Sequence, residues 1–491
     1  MKNSANKITR RKVLQYGVSG AITGGLSAAM SLGGCSFKWG KKRKPNVLLI
    51  IIDTCRADRF SCLGYNRKTT PYIDSLASEG VIYKKAYSTC FWTLPSHASL
   101  FTGLYPRQAG ATSETNYLPG PQPTLAKLLR VNGYDTAAFS CNSWVSKGRG
   151  FGRGFDQFHE IWRPENRIKI RNGYKKAELF AAEKISEWIS RQNQTPFFLF
   201  VNLNCAHMPY NPVEPFRPRF LSSQYNREKI LRASEICGMW AYLGGSIKLD
   251  KDDLNIMNDL YDGEIATADH CVKTIVESLK SNEMLDDTIV IVTSDHGENI
   301  GEHGMIDHLL SMYDTTLHIP LIIRYPGRLQ AGSKNDDLVS LVDIAPTILD
   351  LCSIETNLSS LVTRDLSLAN KSRHIRKCIF AENEHPTNGI KIMKSKHPRF
   401  DVSTIDCRMR AIRTKQHKFI WSIGKNKQLH DFKVDPDEML NIINSEPSVT
   451  SKLERTLSAW MKQTASVGNI MPLESHDKES LDILRSLGYI T

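Results

Sequence analysis

Asp53, Thr93, Asp295 and His296 are residue types that can hold a divalent cation and attack an ester. Asp53 closes the apolar run "NVLLIIID", Thr93 opens the turn "TLPSHASLFTG", and "VTSDHGE" sets Asp295 beside His296. Two carboxylates, an imidazole and a hydroxyl are donors that suit such a cation. A cation there lowers the pKa of the hydroxyl and neutralises an anionic ester, which makes Thr93 a candidate nucleophile. Taken singly, each residue has a plainer role, since an aspartate at a strand end more often caps a helix or forms a turn. Their spread over separate segments, each at a strand-to-helix junction, is what points to a site.

Bringing these residues together requires strands that end along one edge. "NVLLIIID", "PFFLFVNLN" (Pro196–Asn204) and "DTIVIVTSD" (Asp287–Asp295) are continuous apolar runs, the pattern of strands buried on both faces. "IPLIIRYPG" is a weaker version. Helical segments lie between them, such as "TPYIDSLASEG", closed by Gly80, and "AELFAAEKISEWISRQ". The alternation predicts an α/β domain with a large, mostly parallel central sheet flanked by helices. In such folds chemistry gathers at the carboxyl ends of the strands. From about Met409 the texture changes: "RAIRTKQHKFIWSI" and "KQLHDFKVDPDE" predict two antiparallel strands and an acidic turn, followed by a helix near Glu454 to Thr464. The expected division is a main domain over 46–405 and a small C-terminal α+β subdomain over 406–491.

The N-terminus predicts export. "TRRKVLQYG" pairs arginines ahead of an uncharged Gly-, Ser- and Ala-rich stretch, in the manner of a twin-arginine signal. The stretch ends in "SLGGC", which resembles a bacterial lipobox with Cys35 as the lipidated residue. Residues 1–35 are then a signal and 36–45 a basic tether, and the mature chain is held on the outer side of a membrane, periplasmic or cell-surface, by acyl chains. The net charge of +13 includes five cations of this leader (Lys2, Lys7, Arg10, Arg11, Lys12), which leaves +8. The remaining basic residues are scattered, without the interleaved aromatic and basic patches of a nucleic-acid binder, and suit an anionic substrate instead. Ten further cysteines show no C-x-x-C pair or zinc-finger spacing. Most are expected as buried thiols, with one or two bridges that the spacing does not assign.

"IIDTCRADRFSCLGY", "TLPSHASLFTGLYP", "FLFVNLNCAHMPYNP", "VIVTSDHGENIGEHG", "YDTTLHIPLIIRYPG" and "LVDIAPTILDL" together resemble, in order, the motifs of the sulfatase family within the alkaline phosphatase superfamily. The tail "RAIRTKQHKFIW", "QLHDFKVDPDEMLN" and "LRSLGYI" continues the likeness from Asn46 to the end. The resemblance implies an alkaline phosphatase-like fold and a metal-dependent hydrolase of sulfuric or phosphoric esters. It makes Asp53, Asp295 and His296 metal ligands, with Thr93 as a fourth ligand that carries the nucleophilic oxygen. His207 in "AHMPY" and His308 are implied as groups at the transferred or leaving oxygens, and Asn142, His97 and His303 as substrate contacts. His303 also admits a structural role, and His97 is either a supporting group or a helix-start residue. Arg56 reads as a loop tie to Asp58.

The departures from the family matter as much. Sulfatases carry C-x-P-S-R, whose cysteine becomes formylglycine; this chain has Thr93-Leu94-Pro95-Ser96-His97 in that register. Cys90 lies three residues early and lacks the motif around it. Asp53-Thr54 replaces two consecutive aspartates, "SCNSWVSKG" stands where G-K-W-H-L-G is expected, and His308 stands at the usual later lysine. The metal set is nonetheless whole, and threonine is the nucleophile in related branches such as nucleotide pyrophosphatases and lipoteichoic acid synthases. A threonine ester must be released by water or another alcohol, which suits phosphoryl chemistry better than sulfate turnover. The expectation is one divalent cation, calcium for a sulfatase-like reaction and manganese or zinc for a phosphoryl transfer. The alternatives are a phosphodiesterase or phosphotransferase of the lipoteichoic acid synthase type, or a pseudoenzyme that binds anions or glycans without turnover.

Overall fold

The apolar runs do become the interior of one sheet. In the computed structural model, which describes residues 43–120, 122–170, 176–355, 367–369 and 375–464, all seven residues of β1 (Asn46–Ile52) are buried. Alternation along that strand serves both faces: Val47, Leu49 and Ile51 pack into one core, Leu48, Ile50 and Ile52 into the other. The leader 1–35 with Cys35, most of the tether 36–45 and the closing "LRSLGYI" lie outside the described residues.

The sheet has nine strands. They are β1, β2 (Val81–Tyr87), β3 (Asp135–Ser140), β4 (Gln157–Glu160), β5 (Phe197–Leu203), β6 (Thr288–Thr293), β7 (Leu321–Arg324), β8 (Ser333–Ser340) and a two-residue strand, His318–Ile319. Their order is β8-β2-β7-β6-β1-β5-β3-β4, with His318–Ile319 beside β2. β1 is parallel to β5 and β6, as β3 is to β4 and β5 and β8 is to β2. β7 runs antiparallel to both its neighbours. This is the α/β class with a mostly parallel central sheet that the sequence predicts.

Helices cover the sheet: α1 (Pro71–Ser78), α2 (Thr93–Thr102), α3 (Ala177–Ile189) and α4 (Lys251–Ser281), with α4 packed against α1 and α3. A second, antiparallel sheet holds β9 (Ile379–Asn383), β10 (Met409–Arg413), β11 (His417–Ser422) and β12 (Lys427–Asp431). It therefore has four strands where the sequence suggested two. A turn at Thr414–Gln416 divides "RAIRTKQHKFIW" into two strands, "KQLHD" adds a third, and β9 joins from ahead of residue 406. Helix α5 (Pro447–Gln463) lays Leu453, Leu457 and Trp460 over Ile412, Phe419 and Leu429. The ten described cysteines are all free thiols, so no bridge forms among them. No helix of the described residues is long and apolar enough to cross a membrane.

Candidate active site

β1 and β6 are parallel neighbours, so their carboxyl ends deliver Asp53 and the "SDHG" loop to one place. Asp53, Asp295 and His296 there offer ligand atoms that all lie within 4.8 Å of one another, and all three are buried. Gly297 lets the loop close, because a Cβ at that position would meet the Thr315 carbonyl oxygen at 2.1 Å.

Each carboxylate is held by one oxygen and leaves the other bare. Asp53 Oδ2 accepts from the amides of Asn142 (2.7 Å) and Asn202 (3.2 Å), and Oδ1 has no hydrogen-bond partner among the described residues. Asp295 Oδ1 accepts from the backbone N–H groups of Thr54 (3.1 Å) and His296 (2.9 Å), and Oδ2 is likewise bare. His296 Nδ1 donates to the Gly297 carbonyl at 3.0 Å, so Nε2 carries a lone pair. Burial, and after it the charge of His308, push this imidazole well below its usual range, so it is neutral. Its Nε2 lies 3.3 Å from Asp295 Oδ2 and 4.0 Å from Asp53 Oδ1. Three lone pairs thus converge with no proton between them, and the donor set fits a divalent cation.

Thr93 is the first residue of α2, 2% exposed, after an extended Trp92. Its Oγ1 lies 3.3 Å from His296 Nε2, so the hydroxyl reaches the three ligands. His97, one turn later, donates Nδ1–H to the Thr93 carbonyl at 2.9 Å, and its ring meets Phe151 and Phe200 edge-on. The structure therefore places His97 under Thr93 as a brace, fully buried.

His308 stands beside His296, ring centroids 4.5 Å apart, and beside His207 at 5.1 Å. Its Nδ1 lies 2.9 Å from Asp307 Oδ1 and 3.1 Å from Glu298 Oε1. Burial alone disfavours charge on this ring, but Asp307 and Glu298 override it and hold its pKa well above the usual histidine range. Glu298, Asp307 and His308 also converge closely enough for a cation, yet here the imidazolium is itself the cation. His207 donates Nδ1–H to the Met208 carbonyl at 2.6 Å and borders a cavity of about 220 Å³ with Asn142, Asn204 and Asp307.

Asn142 and His303 depart from their expected roles. Asn142 grips Asp53, which makes it a support of the ligand set as well as a wall of the cavity. His303, with φ 55°, stacks on Tyr313 at 3.6 Å, and the charged groups that bear on it are Lys418, Glu302, Asp435 and Asp437. It belongs to the seam with the C-terminal sheet and not to the converging ligands. Arg56 pairs with Asp58 at 2.7 Å, and also with Glu302 at 2.6 Å. Sequence reasoning missed Glu298, Asp307 and Asn202. Glu298 and Asp307 sit inside "SDHGE" and "IDH", where the signal was an acid two residues after one histidine and directly before another.

Comparison with known proteins gives the family. The sulfatase family model matches residues 45–354, and the model for the C-terminal region of N-sulphoglucosamine sulphohydrolase matches 301–465. The chain is 25% identical to an N-acetylglucosamine-6-O-sulfatase of Bacteroides thetaiotaomicron, over 89% of each chain. It is 28% identical to arylsulfatase K of Bos taurus, over 86% of this chain and 83% of the relative. Among solved structures, the phosphonate monoester hydrolase of Agrobacterium radiobacter superposes with a TM-score of 0.69 at 22% identity, over 86% of this chain and 96% of that one. A protein solved in complex with its substrate D-glucosamine-2-N,6-O-disulfate gives 0.65 at 22% identity, over 86% and 98%. These two likenesses bear on the fold, which is alkaline phosphatase-like. The chain belongs to the sulfatase family and is a sulfatase-like ester hydrolase.

Proposed function

We propose that this hydrolase uses Thr93 Oγ1 as its nucleophile against the phosphorus or sulfur of an anionic ester, and that it depends on one divalent cation. The observation that carries the proposal is a hydroxyl 3.3 Å from a neutral His296 Nε2, beside two buried carboxylate oxygens that lack partners. A cation held by Asp53, Asp295 and His296 supplies the charge that acidifies the hydroxyl and screens the ester. The chain's own residues do the rest. α2 and the His97 bond to its first carbonyl fix the attacking oxygen. The charged His308 presents its Nε2–H as a donor to an oxygen that gains charge as the ester bond breaks. His207 is oriented by its Nδ1–H on the Met208 carbonyl, which turns the other side of its ring toward His308 and the cavity where the water of the second step would enter.

That second step, water attacking the threonine ester, favours phosphoesters over sulfate esters, because no formylglycine hydrate is present to expel the acid group. Calcium is the expected ion for sulfate chemistry, and manganese or zinc for phosphoryl transfer. The substrate is expected in the cell envelope, on the strength of "TRRKVLQ" and "SLGGC". Cys35→Ser should release the protein from the membrane fraction or leave it unprocessed.

The deciding experiment compares wild type with Thr93→Ala, Thr93→Ser and Thr93→Cys on matched phosphate and sulfate esters. Thr93→Ala should lose several orders of magnitude and Thr93→Ser should keep much of the rate. Thr93→Cys should remain poor even with the formylglycine-generating enzyme present, since His97 replaces the arginine of its motif. Full turnover by Thr93→Ala removes Thr93 as nucleophile, and binding without turnover of any ester establishes a pseudoenzyme. Sulfate esters turned over far faster than phosphoesters reverse the preference for phosphorus.

A further inference from the structure

The stretch that follows β9 carries positive charge without an acid. No aspartate or glutamate lies between Glu384 and Asp401, while Lys391, Lys394, Lys396 and Arg399 all fall there. The three lysines belong to the helix Thr387–Lys396, and Arg399 follows it. All four are exposed, and among the described residues none has a partner for its charged group. Their neighbours differ. Arg408 pairs with Glu384 at 3.1 Å, Arg410 with the same carboxylate, and His385 with Asp406 at 2.7 Å. Lys394 and Lys396 also complement the negative end of the helix dipole. That role does not reach Lys391, in the middle of the helix, or Arg399, beyond its end.

The inner face of this helix places the charges. Ile392 and Met393 are buried in one cluster with Trp240 and Ile405, and Leu309 and Leu310 pack against it. Gly389 allows the close approach, since a Cβ there would meet the Trp240 indole at 2.1 Å. Leu309 directly follows His308. The short helix that carries Trp240, Met239–Leu243, is fastened by Met239 N–H donating to Asp307 Oδ2 at 3.1 Å, and Asp307 also holds His308. The four cations therefore stand outside the converging ligands, on the outer face of an element that packs against the residues flanking His308.

An uncompensated row of cations suits an anionic partner, and the arrangement narrows which one. A lone ion needs charges that converge on one point, whereas Lys391 and Lys396 stand about 7.5 Å apart along the helix axis. A helix that lies on a bilayer gives its apolar face to the lipid, but here that face is already buried. None of the exposed large apolar residues falls between 384 and 401. Single-stranded nucleic acid stacks its bases on exposed aromatic rings, and Phe400 is packed against the same cluster. Ser395, exposed between two of the lysines, and the half-buried His397 offer hydrogen bonds of the kind that sugar hydroxyls take. We propose that Lys391, Lys394, Lys396 and Arg399 form a docking surface for a linear acidic polysaccharide. It holds the protein on the polymer and is separate from the site that cleaves the ester.

The test uses the full chain and dextran sulfate, with neutral dextran of the same length as blank. Wild type is compared with a patch variant that combines Lys391→Gln, Lys394→Gln, Lys396→Gln and Arg399→Gln. A control variant of equal net charge combines Lys273→Gln, Lys280→Gln, Lys452→Gln and Lys462→Gln, all exposed positions elsewhere. Wild type should bind dextran sulfate at low salt. The patch variant should bind at least about tenfold more weakly, with a log–log salt slope shallower by about 3. The control variant should bind as wild type does, and all three should turn over a small phosphate ester alike. Failure of wild type to bind, equal binding by the patch variant, or equal losses in the two variants overturns the surface. So does a fall in kcat on the small ester in the patch variant, which would show that the helix acts on the site. Phosphatidylglycerol vesicles bound more tightly than dextran sulfate, and released by the same four changes, would assign the surface to a membrane instead. Binding is read without turnover, so the docking surface stands or falls apart from the hydrolase reading.

Discussion

At the Asp53–Asp295–His296 cluster the chain buries two carboxylates beside a nitrogen base, and at the Asp314–Lys418–Glu438 cluster it sets one buried and one partly buried carboxylate beside another. In the second, the base is a lysine. Lys418 Nζ lies 2.7 Å from Asp314 Oδ1 and 2.6 Å from Glu438 Oε1, and Arg413 reaches Asp314 Oδ2 at 3.4 Å. That cluster settles its charge within the chain, and it fastens the C-terminal sheet to the loop that follows His308. In the first, the base is an imidazole kept neutral by burial and by the neighbouring charge of His308, so two anions face each other across a lone pair. A polypeptide that buries like charges without a counter-charge is less stable than one that does not. The difference teaches that an uncompensated cluster is built for something brought from outside, whereas a compensated one is a joint.

The largest effects come from breaking the uncompensated cluster. Asp295→Asn removes a bare oxygen that the proposed cation would use, and should lower kcat/KM by roughly 10³-fold or more at any saturating metal concentration. The same substitution should have the opposite effect on stability in chelator. With one of two facing anions neutralised, the metal-free variant should melt above the metal-free wild type. Adding divalent cation at a hundredfold excess over Kd should stabilise wild type by about 2.7 kcal/mol and leave Asp295→Asn nearly unmoved. Thermal melts of both proteins with and without metal read this directly, and a destabilised metal-free Asp295→Asn would count against the unbalanced charge.

The compensated cluster should answer in the contrary sense. Lys418→Met leaves the buried Glu438 Oε1 without its cation, while Arg413 remains for the partly buried Asp314, and should cost about 3–5 kcal/mol of unfolding free energy, with or without metal. Its activity per folded molecule should stay near wild type, because the lysine lies in the seam below the second sheet and not among the converging ligands. Denaturant unfolding combined with active-site titration separates the two quantities. A Lys418→Met protein as stable as wild type would show that the joint carries little of the load.

What could be read from the sequence divides along the same line. Buried strands announce themselves because both faces are apolar, so β1, β5 and β6 and the residues at their ends were legible, and with them Asp53, Asp295 and His296. Thr93 was legible through the turn and helix it opens. The protonation pattern was not, since it depends on Asp307 and Glu298 meeting one imidazole in three dimensions. The resemblance implied Asn142 as a substrate contact, and the fold turns its amide onto Asp53. The resemblance implied His303 as a substrate contact, but the left-handed backbone there carries its ring to Tyr313. The seam was read too simply for a related reason. Short mixed strands such as "KQLHD" acquire their identity from the neighbour they pair with.

The smallest predicted effect sharpens the comparison by asking how complete the compensation is. Against its own burial, Asp314 is held far below the usual carboxylate range by Lys418 and Arg413. Burial pushes Glu438 up to about 7; Lys418 pulls it down and Asp314 pushes it up again. The folded value thus lies above the ordinary 4.5 of the unfolded chain. The native state therefore holds a proton there that the unfolded state gives up. The stability this contributes is fully present below pH 4.5 and is lost as pH rises through about 7. Between pH 5 and pH 8 the loss should reach about 1–3 kcal/mol. Glu264 and Glu382, both pushed up to about 7 mainly by burial, slope the same way, so the wild-type curve alone does not isolate Glu438. The difference between wild type and Glu438→Gln does. The variant cannot titrate, so its unfolding free energy relative to wild type should rise steadily across that interval. A difference that stays flat from pH 5 to pH 8 would mean that Glu438 is ionised throughout, with Lys418 and Arg413 balancing both acids.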